Sequence, residues 1–234
     1  MRITLATLCL AALVMTTPAP AQTPAPAAPP PPPPDGPIHV LTYFDNNPAW
    51  AKQAIAALRA YRDTTTAETG AVRVDLYREI SPLSRFVVDE TWRDYAAQQA
   101  HAATSKLADA LKAGAIAPLD IRVQREWSVA ARPATTAKAV FGYTHIDVNP
   151  PNVAALEAAL KPYVDYSRTE KGALNFDVIQ CLLPCRNHYT LSEGWASEAD
   201  FLAHERSAQA LEFRRKIAPL LGALYDHRIF KAAK

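Results

Sequence analysis

From Ile38 onward the chain switches repeatedly between an alternating apolar and polar rhythm and a helical one, and each switch carries its own punctuation. Residues 38 to 44 and 139 to 146 alternate and are rich in β-branched and aromatic types, which predicts opening strands. D-x-N-P follows each, and Asn before Pro starts helices over Pro48 to Thr65 and Pro151 to Ser167. Gly70 and Gly172 then stand where the left-handed conformation past a helix end belongs. Two strands joined by a Pro-containing turn come next, 71 to 78 with 85 to 92 and 173 to 181 with 187 to 195. A helical segment opens at Asp94, and in the second half at Ser197, where Ser-x-x-Asp resembles a capping box. Each segment restarts at a second signal, Thr104-Ser105 or Ser207, just after a histidine. A last strand, 119 to 127 or 222 to 230, closes each half.

The halves share letters as well as rhythm. Thr42, Asp45, Asn47 and Pro48 recur at the same spacing as Thr144, Asp147, Asn149 and Pro150. Tyr61, Asp63, Glu68, Gly70 and Asp75 recur as Tyr163, Asp165, Glu170, Gly172 and Asp177; Glu90, Trp92 and His101 recur as Glu193, Trp195 and His204. Ala117-Pro118 also matches Ala218-Pro219. This is duplication of a domain of about a hundred residues, with bounds at 38–130 and 138–234. The order β-α-β-β-α-β is ferredoxin-like, so the fold class is α+β. On the first strands, Val40, Thr42, Phe44, Val72, Val74 and Leu76, with Thr144, Ile146, Leu174, Phe176 and Val178, form a face expected under the helices. The opposite face mixes His39, Leu41, Tyr43, Arg73, Asp75 and Tyr77 with Phe141, Tyr143, His145, Asn175, Asp177 and Ile179. Such a face is best covered if the two sheets pack on each other, closing a barrel within one chain.

The segment before this pair reads differently. MRITLATLCLAALVM holds one early charge, Arg2, and an apolar run too short to span a bilayer, and Ala19-Pro20-Ala21 suits a signal peptidase. The expectation is a signal peptide over 1–21, cleavage before Gln22, loss of Cys9 and export to the periplasm or beyond. Residues 22–37 are a Pro/Ala-rich tether, with unbroken proline from Pro29 to Pro34 favouring a stiff, extended spacer. Lys and Arg number 25 against 23 Asp and Glu, without a basic cluster, which argues against a nucleic-acid partner. No later segment is apolar enough for a membrane. Cys181 and Cys185 are expected to staple the second-half turn as a disulfide, and two sulfurs are too few for a zinc site.

Glu90-x-Trp92 and Glu193-x-Trp195 place both side chains of each pair on one strand face, where Trp is a large core filler. His101 and His204 end a short helix, where the dipole favours a cation; either can brace the turn or act as a base near neutrality. Duplication preserves scaffold and site alike, so it does not choose. Tyr143 and His145 replace Leu41 and Tyr43 of the first half, which leaves one live half or ordinary drift as readings.

Three stretches, Y-S-R-T-E-K-G-A-L-N-F-D-V from Tyr166, Y-T-L-S-E-G-W from Tyr189 and A-H-E-R-S from Ala203, make the repeated unit resemble the antibiotic biosynthesis monooxygenase domain of the dimeric α+β barrel superfamily. The first half, with T-A-E-T-G and F-V-V-D-E-T-W, is a weaker copy. The resemblance implies a barrel closed by paired domains, here an intramolecular pseudo-dimer in a monomer. It also implies oxidation of a phenol or quinol by molecular oxygen with no metal or flavin cofactor. That chemistry asks for an apolar pocket, a partner for the phenolic proton and donors for developing charge. On the resemblance, His204, His101, Trp195, Trp92 and Glu193 are the catalytic candidates, and Tyr143, His145 and Asn175 are candidate substrate-binding groups for a small aromatic or apolar molecule. Haem opening, known in another branch, is disfavoured because its ligand position falls near Leu111 and Arg214. A barrel that binds without turnover, and a lyase or isomerase, remain alternatives on the same fold.

Overall fold

Each half builds β-α-β-β-α-β from the signals above, in a computed structural model that describes residues 34–104, 106–114, 116–131 and 136–233. The expected signal peptide and the tether up to residue 33 lie outside the described residues. The first half comprises β1 (Ile38–Asp45), α1 (Ala51–Thr66), β2 (Ala71–Glu79), β3 (Arg85–Trp92), α2 (Tyr95–Ala102), α3 (Lys106–Gly114) and β4 (Ala117–Ser128). The second repeats it as β5 (Val140–Asp147), α4 (Val153–Ser167), β6 (Ala173–Cys181), β7 (His188–Trp195), α5 (Glu198–Glu205), α6 (Ala208–Ile217) and β8 (Asp226–Ala232). Among the described residues no helix is long and apolar enough to cross a membrane.

The local chemistry sets these bounds. Asp94 accepts the Ala97 amide to cap α2, Ser197 accepts that of Asp200 to cap α5, and Ser207 accepts that of Ala210 to restart α6. Gly70 and Gly172 take φ of 90° and 84°, and their carbonyls receive the Arg93 and Ala196 amides, which tie each first helix to the end of the third strand. Cys181 and Cys185 are joined by a disulfide across the β6–β7 turn, with Cα atoms 5.5 Å apart.

The eight strands form one closed antiparallel barrel in the order β1-β3-β2-β8-β5-β7-β6-β4. The last strand of each half leaves its own sheet on one side: β4 pairs with β1 and with β6, and β8 with β5 and with β2. The fold is therefore two ferredoxin-like repeats closed as an intramolecular pseudo-dimer. Leu41, Tyr43, Tyr77, Phe141, Tyr143, Ile179 and Phe230 fill the barrel interior. The helices cover the outer face, where Leu58 and Tyr61 pack on Phe44, Val74 and Leu76, and Leu160 and Tyr163 on Ile146, Phe176 and Val178.

Two expectations change. The register shifts between Ala71 and Arg73 and between Ala173 and Asn175, so each second strand carries a bulge. Strict alternation fails there: Val72 turns out to be 64% exposed and Leu174 packs toward the barrel interior, while Ala71 and Ala173 take the helix side. Ala117-Pro118 and Ala218-Pro219 match in letters but not in place, since Ala117 opens β4 whereas Ala218–Leu220 is a short 3-10 turn after α6. Barrel pairing gives the true equivalence: Thr42 faces Ile121 and Thr144 faces His227. The second half inserts the Leu221–Tyr225 segment before its last strand, which starts at Asp226 rather than 222.

Candidate functional site

Three elements converge at the corner where each third strand meets its helices. Glu90 and Trp92, two apart on β3, point to the same side, toward the helices. The middle of α1 brings in Tyr61, and the last turn of α2 brings in His101. The Tyr61 hydroxyl lies 2.6 Å from Glu90 Oε1 and 2.8 Å from His101 Nε2. Trp92 Nε1 donates to Glu90 Oε2 at 2.9 Å, and the His101 ring stacks on Trp92 with centroids 4.5 Å apart. His101 Nδ1 meets Glu68 Oε2 at 3.0 Å, and Lys106 holds the other oxygen of Glu68 at 2.8 Å.

The second half repeats the constellation. Tyr163 hydroxyl lies 3.0 Å from His204 Nε2, His204 Nδ1 lies 2.5 Å from Glu170, and Trp195 Nε1 donates to Glu193 at 2.8 Å. His204 stacks on Trp195 at 4.5 Å. Neither histidine braces backbone with its ring nitrogens; each links a tyrosine to a carboxylate.

Burial sets the charges. It pushes the Glu90 carboxyl above its usual range, against hydrogen bonds from Tyr61 and Trp92 that favour the carboxylate. It pushes Glu193 up to about 8, partly offset by Trp195. Burial and the neighbouring carboxylate raise the hydroxyl of Tyr61, and likewise that of Tyr163. At Glu68 burial opposes ionisation, but hydrogen bonds from Lys106 and His101 outweigh it and hold the carboxyl low.

One tyrosine proton cannot serve two acceptors, so the first-half chain has two self-consistent arrangements. With Glu90 ionised, Tyr61 donates to it, and a doubly protonated His101 donates to Tyr61 and to Glu68. With Glu90 protonated, Glu90 donates to Tyr61, Tyr61 donates to Nε2, and a neutral His101 donates from Nδ1 to Glu68. The two differ by one proton moved between His101 and Glu90 through Tyr61.

Beside this relay opens a cavity of about 360 Å³, whose walls include Val40, Leu107, Ile121 and Val123 and whose polar side is Tyr61, Glu90 and His101. The second half differs in its walls. Phe201 stands for Gln98, Glu205 for Ala102, Ala210 for Leu107 and, by register, His227 for Ile121. Glu205 pairs with Arg214 at 3.1 Å. Burial, together with the charges of Glu193 and Glu205, raises the Tyr225 hydroxyl, which also bonds Thr144; a phenol of the chain itself thus occupies the second-half corner. His204 is 1% exposed.

Tyr143, His145 and Asn175 are not brought to either relay. They alternate to the inner face of the sheet, opposite Glu193 and Trp195, and their partners lie in the barrel: Tyr143 hydroxyl donates to Asp89 at 2.7 Å, His145 Nδ1 meets Thr190 at 3.0 Å, and Asn175 Nδ2 donates to the Ser192 carbonyl at 2.8 Å. Burial and the nearby Arg122 depress the His145 ring to about 3, so it is neutral. Tyr61 and Glu68, with Tyr163 and Glu170, complete the relays and were not among the sequence candidates. Their signal was present in the paired letters of the two halves. His227 was hidden by the false Ala-Pro correspondence. Among the described residues, no group of three or more His, Cys, Asp or Glu could hold a metal ion.

The family described as antibiotic biosynthesis monooxygenase matches residues 37–113 and 141–216. No curated protein matches the sequence. Among solved structures, a Fusobacterium nucleatum protein provisionally named a monooxygenase superposes with a TM-score of 0.73 at 17% identity, covering 85% of this chain and 93% of the other. An anthrone oxidase-like protein gives a TM-score of 0.68 at 12% identity over 86% and 92%. A Lactobacillus acidophilus protein, also provisionally named a monooxygenase, gives 0.65 at 14% over 84% and 93%. At these identities the likeness speaks for the fold alone.

Proposed function

The chain belongs to the antibiotic biosynthesis monooxygenase family, and from that premise we propose that it oxidises a small phenol or quinol with molecular oxygen in the first-half cavity. The observation that carries this reading is the cavity of about 360 Å³ set against the Tyr61, Glu90 and His101 relay. An electron-rich ring fits the apolar wall, and its hydroxyl faces groups that can take a proton. In the arrangement with Glu90 ionised, the substrate proton passes to the Glu90 carboxylate, and the resulting phenolate yields an electron to oxygen. Burial, which favours a neutral Glu90, drives that transfer. His101 has both ring nitrogens engaged and acts through Tyr61, so it is a positioning residue. The sum for a simple quinol balances without an outside reductant: quinol and oxygen give hydroxyquinone and water, all four electrons coming from the quinol.

Aerobic oxygen uptake with a panel of benzo- and naphthohydroquinones tests this. Tyr61→Phe and Glu90→Gln are each expected to lower turnover about a hundredfold, and His101→Gln to shift the pH profile. Tyr163→Phe, in the second half, is expected to stay within about twofold of the parent. Uptake no greater than that of the Glu90→Gln, Tyr61→Phe double variant sinks the assignment. Because every relay member already has an internal partner, a second reading is a barrel that holds its ligand without turnover. Ligand-induced stabilisation with no uptake would establish that instead. Export belongs to the same proposal, and the secreted protein should begin at Gln22.

A further inference from the structure

The floor of the first-half cavity has a direction. Val40 on β1 pairs with Glu90 on β3 and with Val123 on β4, and in the next row Thr42 pairs with Val88 and with Ile121. The floor therefore runs from the relay carboxyl, across β1, to apolar side chains of β4 two strand spacings, or about 10 Å, away. A ring whose hydroxyl meets Tyr61 and Glu90 turns its far edge to Val123 and Ile121. About 150 Å³ already accommodates benzene, so a single ring leaves much of the cavity of about 360 Å³ unfilled.

The apolar surface does not stop at the cavity. Val123, Ile121 and Leu119 follow one another two apart along β4, a stripe about 13 Å long on the helix side of the sheet. Val123 is half-buried, Ile121 is 48% exposed and Leu119 is 54% exposed. A bulge leaves Leu119 without a partner on β1. The second half shows that the equivalent stripe takes apolar cover. There Tyr225, His227 and Ile229 are all half-buried, and Tyr225 and Ile229 pack on the helix-side core together with Leu221 from the inserted segment. The first half has no such insertion, and among the described residues its stripe leaves the cavity uncovered. Exposed leucines scattered singly mean little, but two in line that continue a cavity wall form a groove. No Lys or Arg lines the cavity, so a carboxylate or phosphate would find no counter-ion there.

We propose that the substrate of the first-half cavity is a phenol or quinol with an uncharged apolar chain on the edge away from its reacting hydroxyl, and that this chain leaves the cavity along Ile121 and Leu119. The inference rests on the seat of the ring proposed above and adds what lies beyond the ring.

Isothermal titration of the full chain with 4-methyl-, 4-propyl- and 4-hexylphenol under argon reads the chain's path without turnover. Each methylene half-covered by the stripe is expected to tighten binding about twofold, so hexylphenol should bind about thirtyfold more tightly than methylphenol. In the Leu119→Ser, Ile121→Ser double variant, whose sites are exposed enough to leave the fold intact, that ratio should fall to about threefold or less. A ratio near one in the parent, or a ratio that survives in the variant, overturns the proposed path. So does a parent dimer that Leu119→Ser converts to a monomer, because the stripe would then belong to a second copy of the chain. Oxygen uptake with methyl- and hexylhydroquinone is the separate arm. No uptake while the binding ratio holds overturns the oxidase reading alone, whereas uptake without any dependence of binding on chain length overturns the path alone.

Discussion

A carboxyl sealed beneath helices ionises only against the cost of leaving water, and Glu193, 3% exposed, is such a group. Its pKa stands at about 8 against an ordinary 4.5. Between those values the native state holds a proton that the unfolded chain has released. The contribution of Glu193 is therefore fully present below about pH 4.5 and is lost as pH rises through 8, with a slope of up to about 1.4 kcal/mol per pH unit. Glu193→Gln keeps the acceptor for Trp195 and removes the titration. Denaturant midpoints from pH 5 to 8 should fall less steeply for this variant than for the parent; parallel curves would show that another group carries the dependence. The same residue-level logic applies to Glu90, whose partner Tyr61 gives it a second hydrogen bond that Glu193 does not make with Tyr163.

At the scale of elements, the site depends on how the chain turns from the first helix into the second strand. Gly172 sits at φ 84°, and a Cβ there would come within 2.4 Å of the Asp200 carboxyl carbon at the start of α5. Close approach lets its carbonyl accept the Ala196 amide at 2.7 Å, which sets where α5 begins and so where His204 falls. Gly172→Ala is expected to cost about 2 kcal/mol or more, from a strained backbone and a displaced helix, measured by urea unfolding. A cost below about 0.5 kcal/mol would mean the corner can relax without it. Gly70, held against Ala97 at the first-half corner, has the same duty.

At the scale of the molecule, each half donates its last strand to the seam. β4 lies between β1 and β6, and β8 between β5 and β2, so the barrel has no free edge. Across the seam, Tyr143 of one half donates to Asp89 of the other, which Arg73 also holds at 3.0 Å, and Gln124 donates to Thr190 at 2.9 Å. Closure within the chain removes the need for a second copy. Light scattering should give the mass of one chain at all practical concentrations, and a predominant dimer would show that the barrel closes between chains. The two halves expressed as separate polypeptides should associate with each other, since each alone leaves open edges.

Much of this was legible in the chain. Alternation, Asn-Pro starts, Gly stops and the doubled Glu-x-Trp and His signature gave the ferredoxin-like order, the duplication and the pairing of the halves, because these are local preferences written in short spans. The relay was half legible: Trp and His stood out, while Tyr61 and Glu68 looked like ordinary repeat identities until α1 laid them against β3. What only the tertiary structure decided is which side of the sheet each polar group serves and how much room it has. Tyr143, His145 and Asn175 differ by one step of alternation from the site face and point into the barrel. Bulges at Val72 and Leu174 broke the count. The difference between an open first-half corner and a filled second-half one comes from Gln98 against Phe201, Ile121 against His227, and the inserted Tyr225. These side chains lie far apart in sequence, and the free volume they leave or fill exists only once strands and helices have packed.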